Sequence, residues 1–269
     1  MADLGKVSPE ESPHALALGS DGHLYVGGYY KNSVWKVAPT GEISTLYPGS
    51  EKQNRIDEVL NLSFDDRGSL YILEWSYSPS PGVGRRFRIL RLSAMDAEPS
   101  ILFAATEGDD DFLNLHLGSM AVSKDGAIFI SCGHRVWKLN TEGKLNPIAG
   151  ASEPGYVNGL GKNARFSHPY GMALDGNGNI VVAEMSGRIR SVGTDGKVST
   201  LAGAKDRGSQ DGPGEKARFE VPFAVAVGSD RSVYVAEFVQ EGQTRFYRIR
   251  VIRKGKVTTL ATVDSKKPA

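Results

Sequence analysis

Three residues with acid–base or metal-binding side chains recur at intervals of roughly fifty residues along the chain: Glu58, His116 and His168. Each stands immediately before a short apolar segment, so equivalent elements would bring the three side chains to one place. Two imidazoles and a carboxylate with open coordination positions suit a divalent ion that activates water or polarises a carbonyl. We therefore predict Glu58, His116 and His168 as catalytic residues and as ligands of a divalent metal ion, zinc or calcium.

Two other interpretations of these three residues remain open. A metal-free site would use one histidine as general base and a glutamate as general acid. In a purely structural interpretation, the same side chains cap strands and bond to the neighbouring backbone. The prediction of a site depends on the alignment of the repeats, because a shift of one residue moves a side chain to the opposite face of a strand.

A second position of interest is the last residue of the second apolar segment in each repeat. This position holds a glutamate in three repeats and Gly28 or Cys132 in the other two. Because adjacent antiparallel segments place it beside the first set, we predict the glutamates as ligand-binding residues. They are Glu74, Glu184 and Glu237.

Aromatic residues cluster in the loops after the second segment of the repeats. If these loops lie side by side, their aromatic side chains would bind an apolar or sugar-like ligand, or a partner protein or peptide. Ordinary packing of the loops is the alternative. The predicted ligand-binding aromatics are Tyr29, Tyr30, Trp75, Tyr77 and Phe238.

The elements that position these residues follow from a repeated pattern of two apolar segments joined by a glycine turn. The turn glycines are Gly22, Gly68, Gly126 and Gly178, and Arg231 takes this place in the last repeat. Large and small apolar residues alternate in the first segment of each repeat, which predicts strands with both faces covered. Four antiparallel strands per repeat predict an all-β fold, a β-propeller of four-stranded blades. An open solenoid is the alternative architecture.

Five repeats account for nearly all of the 269 residues. We predict a single domain over residues 1–269 with five blades, and six blades as the alternative if two units are merged around the long loop after Ser76. The predicted blades cover approximately residues 12–50, 57–105, 116–150, 168–203 and 221–262.

Two segments resemble NHL repeats of bacterial propeller proteins. In one, Asn158-Gly159-Leu160-Gly161 precedes Ala164-Arg165-Phe166 and Pro169; in the other, Asp211-Gly212-Pro213-Gly214 precedes Ala217-Arg218-Phe219 and Pro222. The resemblance implies a propeller, a fold that carries enzymes, nucleic-acid binders and interaction platforms. It points to lactonase-like hydrolases and amidating-lyase-like enzymes, although their complete motifs are not recognisable. An acid after Val-Ala is usually structural in NHL repeats, which is the alternative role for Glu184 and Glu237.

Composition excludes several classes of protein. A net charge of +1 argues against nucleic acid as a partner, and one cysteine, Cys132, excludes an internal disulfide and zinc sites built on several thiolates. The sequence has no run of eighteen apolar residues, so it predicts no membrane span. Met1–Gly5 lacks the apolar core of a signal peptide, which favours the cytoplasm; the alternative is a periplasmic or secreted protein whose leader was removed. We predict a monomer.

The function predicted from these observations is small-molecule binding in a polar His/Glu pocket, with metal-dependent hydrolase or lyase activity. The alternative is a non-catalytic platform that binds a protein or peptide through the aromatic rim.

Overall fold

The structure is a computed structural model that describes residues 13–28, 33–47, 58–77, 85–93, 99–105 and 117–264. These residues form five antiparallel sheets, and the helical content of the described chain is one 3₁₀ turn at Gly161–Asn163. Each sheet is one blade, so the predicted all-β fold, a five-bladed β-propeller, is confirmed.

In the first three sheets, strands that follow one another in the chain are neighbours. The first sheet contains β1 (Pro13–Leu18), β2 (Leu24–Gly28), β3 (Val34–Val37) and β4 (Ile43–Tyr47). The second contains β5 (Glu58–Phe64), β6 (Leu70–Tyr77), β7 (Arg85–Leu92) and β8 (Ser100–Ala104). The third contains β9 (Leu117–Val122), β10 (Ile128–Cys132), β11 (Arg135–Leu139) and β12 (Leu145–Gly150).

The fourth and fifth sheets each carry an additional short strand at the outer edge. The fourth contains β13 (Gly159–Leu160), β14 (Pro169–Leu174), β15 (Ile180–Glu184), β16 (Arg188–Val192) and β17 (Lys197–Ala202). The fifth contains β18 (Gly212–Pro213), β19 (Val221–Val227), β20 (Val233–Glu241), β21 (Thr244–Arg253) and β22 (Lys256–Asp264). β13 pairs with β17 and β18 with β22, so the connection into each of these blades returns along its outermost strand.

The turns between the first and second strands have the backbone that their sequences predict. Gly22 and Gly178 have φ of 76° and 82°, a left-handed conformation that favours glycine. Arg231, which replaces glycine in the last repeat, adopts the same conformation with φ of 65°. Asp175 Oδ1 accepts hydrogen bonds from the backbone N–H of Asn177 and Asn179 at 2.8 and 2.9 Å, which closes the turn.

Hydrophobic clusters lie between the first and second, the third and fourth, and the fourth and fifth sheets. Buried side chains of the third and fourth sheets form one cluster that includes Val136, Phe166 and Met172, and Phe219 and Val235 belong to another between the fourth and fifth. Small residues let the inner strands approach closely: a Cβ on Gly171 of β14 would lie 2.5 Å from the carbonyl oxygen of Phe223 in β19.

Burial in β1 differs from the expectation that both faces are covered. Ala15 is 5% exposed and packs in a cluster with Val59, whereas Leu16 and Leu18 are 62% and 71% exposed. Alternate side chains of a strand point to opposite faces, so the small residues of β1 lie on its covered face.

The chain divides into two compact units. The first consists of residues 1–114, 122–128 and 139–144, and the second of residues 115–121, 129–138 and 145–269. The prediction of a single domain over residues 1–269 stays a prediction. Among the residues that the structure describes, no helix is long and apolar enough to cross a membrane.

Candidate functional site

Two histidines, one from the third sheet and one from the connection into the fourth, lie close together. His168 directly precedes β14 and its side chain is exposed, while His134 lies in the turn between β10 and β11. The ring centroids are 5.0 Å apart in an edge-to-face arrangement. The backbone N–H of His168 donates to Nδ1 of His134 at 3.4 Å, so the neutral ring of His134 carries its proton on Nε2. The hydroxyl of Ser167 lies 3.4 Å from Nδ1 of His168.

The backbone of His168 is strained. Its φ of 56° lies in the left-handed region, which residues other than glycine adopt at a cost in free energy. The carbonyl oxygen of His168 accepts a hydrogen bond from the backbone N–H of Met185 at 3.0 Å, which helps to hold this conformation. An exposed histidine fixed in a strained backbone is a candidate acid–base group.

The other two members of the predicted acid–base set are Glu58 and His116. Glu58 begins β5 in the first unit and is 7% exposed. His116 falls outside the described residues. Among the residues that are described, no three His, Cys, Asp or Glu side chains are grouped so that they can hold a metal ion. The metal site of Glu58, His116 and His168 therefore stays a prediction.

The predicted ligand-binding residue Glu184 is fully buried at the end of β15. Its Oε1 accepts a hydrogen bond from the backbone N–H of Ser167 at 2.7 Å, and its Oε2 lies 3.2 Å from Nη1 of Arg190. Arg190 also donates to the carbonyl oxygens of Arg165 and Val157, at 3.1 and 3.2 Å. Glu184 thus orients Arg190, which holds the connection before β14 through hydrogen bonds. The same carboxylate positions Ser167, the residue before His168.

Glu237 makes the equivalent contacts in the fifth sheet. Its Oε2 accepts from the backbone N–H of Glu220 at 2.7 Å and its Oε1 lies 2.7 Å from Nη1 of Arg250. Arg250 donates to the carbonyl oxygen of Arg218 at 3.1 Å and to Oδ1 of Asp211 at 2.6 Å. The repetition supports a structural role for this glutamate position.

In the second sheet, Glu74 is also fully buried and pairs with Arg88, whose Nε lies 2.6 Å from Oε1. The ligand-binding role predicted for Glu74, Glu184 and Glu237 stays a prediction, and the arginines were missed by the sequence analysis. Their signal is an arginine in the strand after each glutamate, at Arg88, Arg190 and Arg250. His134 was also missed as a partner of His168, because the two are 34 residues apart.

Burial alters the protonation of the glutamates at these sites. It raises the pKa of Glu184 from its usual 4.5 to about 7, since removal from water disfavours the carboxylate more than Arg190 and the Ser167 N–H favour it. Burial likewise raises the pKa of Glu237, against the opposing effect of Arg250.

We expect Glu184→Gln to remove a component of the pH dependence of stability. The folded protein binds the Glu184 proton more tightly than the unfolded chain, so this stabilisation is complete below pH 4.5 and is lost as the pH rises to 7. The wild type should lose about 3 kcal/mol relative to the variant across this range. Urea unfolding of both proteins between pH 4.5 and 8 measures the difference, and parallel stability curves would contradict the raised pKa.

The predicted aromatic residues that are described pack against other rings of their own sheets. Trp75 lies edge-to-face on Phe87 with centroids 6.4 Å apart, and Phe238 lies 5.8 Å from Tyr247. Tyr29 and Tyr30 lie outside the described residues, as does the side chain of Tyr77 at the end of β6. The ligand-binding role of these aromatics stays a prediction.

No protein-family model matches the chain, and no curated protein matches its sequence. The fold is similar to that of solved structures. A protein of unknown function from Bacteroides thetaiotaomicron has a TM-score of 0.68 at 15% identity over 96% of this chain. The chain spans 60% of the length of that protein.

Two enzymes are also similar in fold. Virginiamycin B lyase from Staphylococcus aureus has a TM-score of 0.56 at 11% identity, with 94% of this chain and 85% of the lyase covered. A histidine-to-alanine variant of that lyase is catalytically inactive. A gluconolactonase from Xanthomonas campestris has a TM-score of 0.54 at 12% identity, with 82% and 68% covered. At these identities the similarity shows the propeller fold alone.

Proposed function

We propose that this chain is an NHL-type propeller that binds a small carbonyl compound and acts as a hydrolase or lyase, with His168 as its acid–base residue. The observation that carries the proposal is the exposed His168 ring, held by a backbone at φ of 56° and packed edge-to-face on His134. The propeller enzymes of similar fold, a gluconolactonase and a lyase that a single histidine substitution inactivates, support this class of chemistry.

His168 suits both reaction types for the same chemical reason. A hydrolase needs a base that takes a proton from water, and a lyase needs a base that takes a proton from the substrate; imidazole does either near neutral pH. His134 orients the peptide group of His168 through its Nδ1, and Ser167 lies beside the ring. Glu58 and His116 are the further acid–base residues of the proposal.

A divalent ion, zinc or calcium, held by Glu58, His116 and His168 is the metal-dependent form of the proposal. Such an ion would polarise the carbonyl or lower the pKa of bound water. Metal analysis of the purified protein and activity after chelation test this form. A protein that holds neither metal and keeps full activity with chelator would restrict the proposal to its metal-free form.

We expect His168→Asn to lower kcat/KM about a hundredfold or more, since asparagine tolerates the left-handed backbone but provides no acid–base group. The measurement is turnover of a panel of small lactones and quinupristin by the wild type and the variant. His23→Asn is the matched control and should leave turnover unchanged. His23 lies in the turn after β1, at the end of an inner strand, whereas His168 lies directly before the start of one.

Equal turnover by the wild type and His168→Asn would contradict the assignment of His168. No turnover of any substrate by the wild type would contradict the enzyme proposal itself. In that case, capture of protein partners that is lost in a Trp75→Ala and Phe238→Ala double variant would favour the platform alternative.

A further inference from the structure

A groove of about 580 Å³ lies between the outer parts of the fourth and fifth sheets, within the second unit. Its walls are the end of β17 with the connection that follows it, and the turn after β18. Tyr156, Arg188 and Gly255, which lies in the turn between β21 and β22, complete the lining. The volume falls in the range of small-molecule sites, and neither His168 nor His134 lines it.

Arg188 is the polar group that gives this groove its character. Its guanidinium lies over the ring of Tyr156, with the central carbon 3.9 Å from the centroid, so the ring holds the cation in place. Nη1 of Arg188 is buried and has no hydrogen-bond partner among the residues that the structure describes. Its cross-strand neighbour Glu184 directs its carboxylate to Ser167 and Arg190. Arg188 lines the groove, and a guanidinium forms charge-assisted hydrogen bonds with the oxygens of an anionic ligand.

The remaining lining combines positive charge with apolar surface. Lys205 adds a second cation, and Glu215 is the single acid of the lining. Leu201 is 37% exposed and Tyr156 47% exposed, so apolar and aromatic surface is accessible beside Arg188. The charge excess favours an anion, and the apolar surface favours one with a hydrophobic body.

A glycine allows the groove to form next to Arg188. Gly203 has φ of 107°, and a Cβ at this position would lie 2.8 Å from Cα of Arg188. Its backbone N–H donates to the carbonyl oxygen of Gly214 at 2.9 Å, which joins the two walls. The groove is therefore built by defined backbone contacts.

We propose that this groove binds a small monocarboxylate with an apolar or aromatic body. The carboxylate accepts hydrogen bonds from Arg188, with Lys205 as the supporting charge, and the body lies against Tyr156 and Leu201. The site is separate from the acid–base residues of the proposed function.

Isothermal titration with phenylacetate, indole-3-acetate and hexanoate, and with their neutral amides, tests the proposal. We expect at least one carboxylate to bind, its amide to bind at least about tenfold more weakly, and Arg188→Gln to weaken carboxylate binding by a similar factor. Leu201→Trp should also weaken binding by filling the groove. Arg253→Gln, which changes an exposed arginine of β21, should leave binding unchanged.

Binding that persists in His168→Asn but is lost in Arg188→Gln would place the carboxylate in the groove and not at the proposed catalytic site. The proposal is overturned if no carboxylate binds at millimolar concentration, or if each amide binds as well as its acid. It is also overturned if Arg188→Gln and Leu201→Trp, folded as judged by thermal unfolding, both bind like the wild type.

Discussion

Gly171→Ala is expected to lower the free energy of unfolding by about 3 kcal/mol, the upper range for overpacking a tightly packed core. The new Cβ would lie 2.5 Å from the carbonyl oxygen of Phe223 and 2.7 Å from Cα of Ala224, both backbone atoms of β19. A flexible side chain could rotate away from an added methyl group, but a backbone hydrogen-bonded within its sheet cannot. The substitution therefore forces β14 and β19 apart.

Gly176→Ala is the matched control for this experiment. Gly176 lies in the turn after β14, and a Cβ there would have no atom of the described residues within 4 Å apart from those of its two chain neighbours. Its effect should stay within about 0.5 kcal/mol. Urea unfolding of both variants gives the comparison, and a Gly171→Ala protein as stable as the control would show that the inner strands are not in such close contact.

Arg190→Met is expected to cost about 4 kcal/mol of stability, because removing one partner of a buried ion pair leaves the other without compensation. Arg190 is fully buried, as is its partner Glu184. The substitution also removes the donors to the carbonyl oxygens of Arg165 and Val157, which belong to the connection before β14. Both the blade and this connection are expected to lose stability.

Two comparison variants separate the ion pair from the loss of packing. Arg253→Met removes an exposed arginine paired with Asp230 and should change stability by no more than the measurement error. Adding Glu184→Gln to Arg190→Met removes the carboxyl group that has lost its Arg190 partner, so the double variant should be less destabilised than the sum of the two single variants. Strict additivity in thermal and urea unfolding would argue against energetic coupling between Glu184 and Arg190.

The buried arginines explain part of the motif that resembles NHL repeats. Arg190 donates to Oδ1 of Asn158 at 2.8 Å and Arg250 to Oδ1 of Asp211 at 2.6 Å. The guanidinium carbons lie 5.2 and 5.0 Å from the ring centroids of Phe166 and Phe219. The Asn or Asp and the later Phe of each segment therefore recur because both contact the same arginine.

Much of the fold could be predicted from the sequence, because the signals are local. Alternating large and small apolar residues and a turn residue able to adopt positive φ indicate where strands begin and end. Even Arg231, which lacks the freedom of glycine, occupies the left-handed conformation that its position in the repeat predicts. Turn chemistry within four or five residues is enough to count five blades.

The candidate site could be predicted only in part, because its chemistry depends on residues far apart in the chain. The sequence by itself determined the repeat and the strands. It also determined the two positions in the repeat that His168 and Glu184 occupy. The tertiary structure decided that Glu184 is buried against Arg190, that His134 packs on His168 and that Tyr156 lies against Arg188. Local patterns fix which face of a strand a side chain occupies, but strand register and sheet packing determine which partner it meets there.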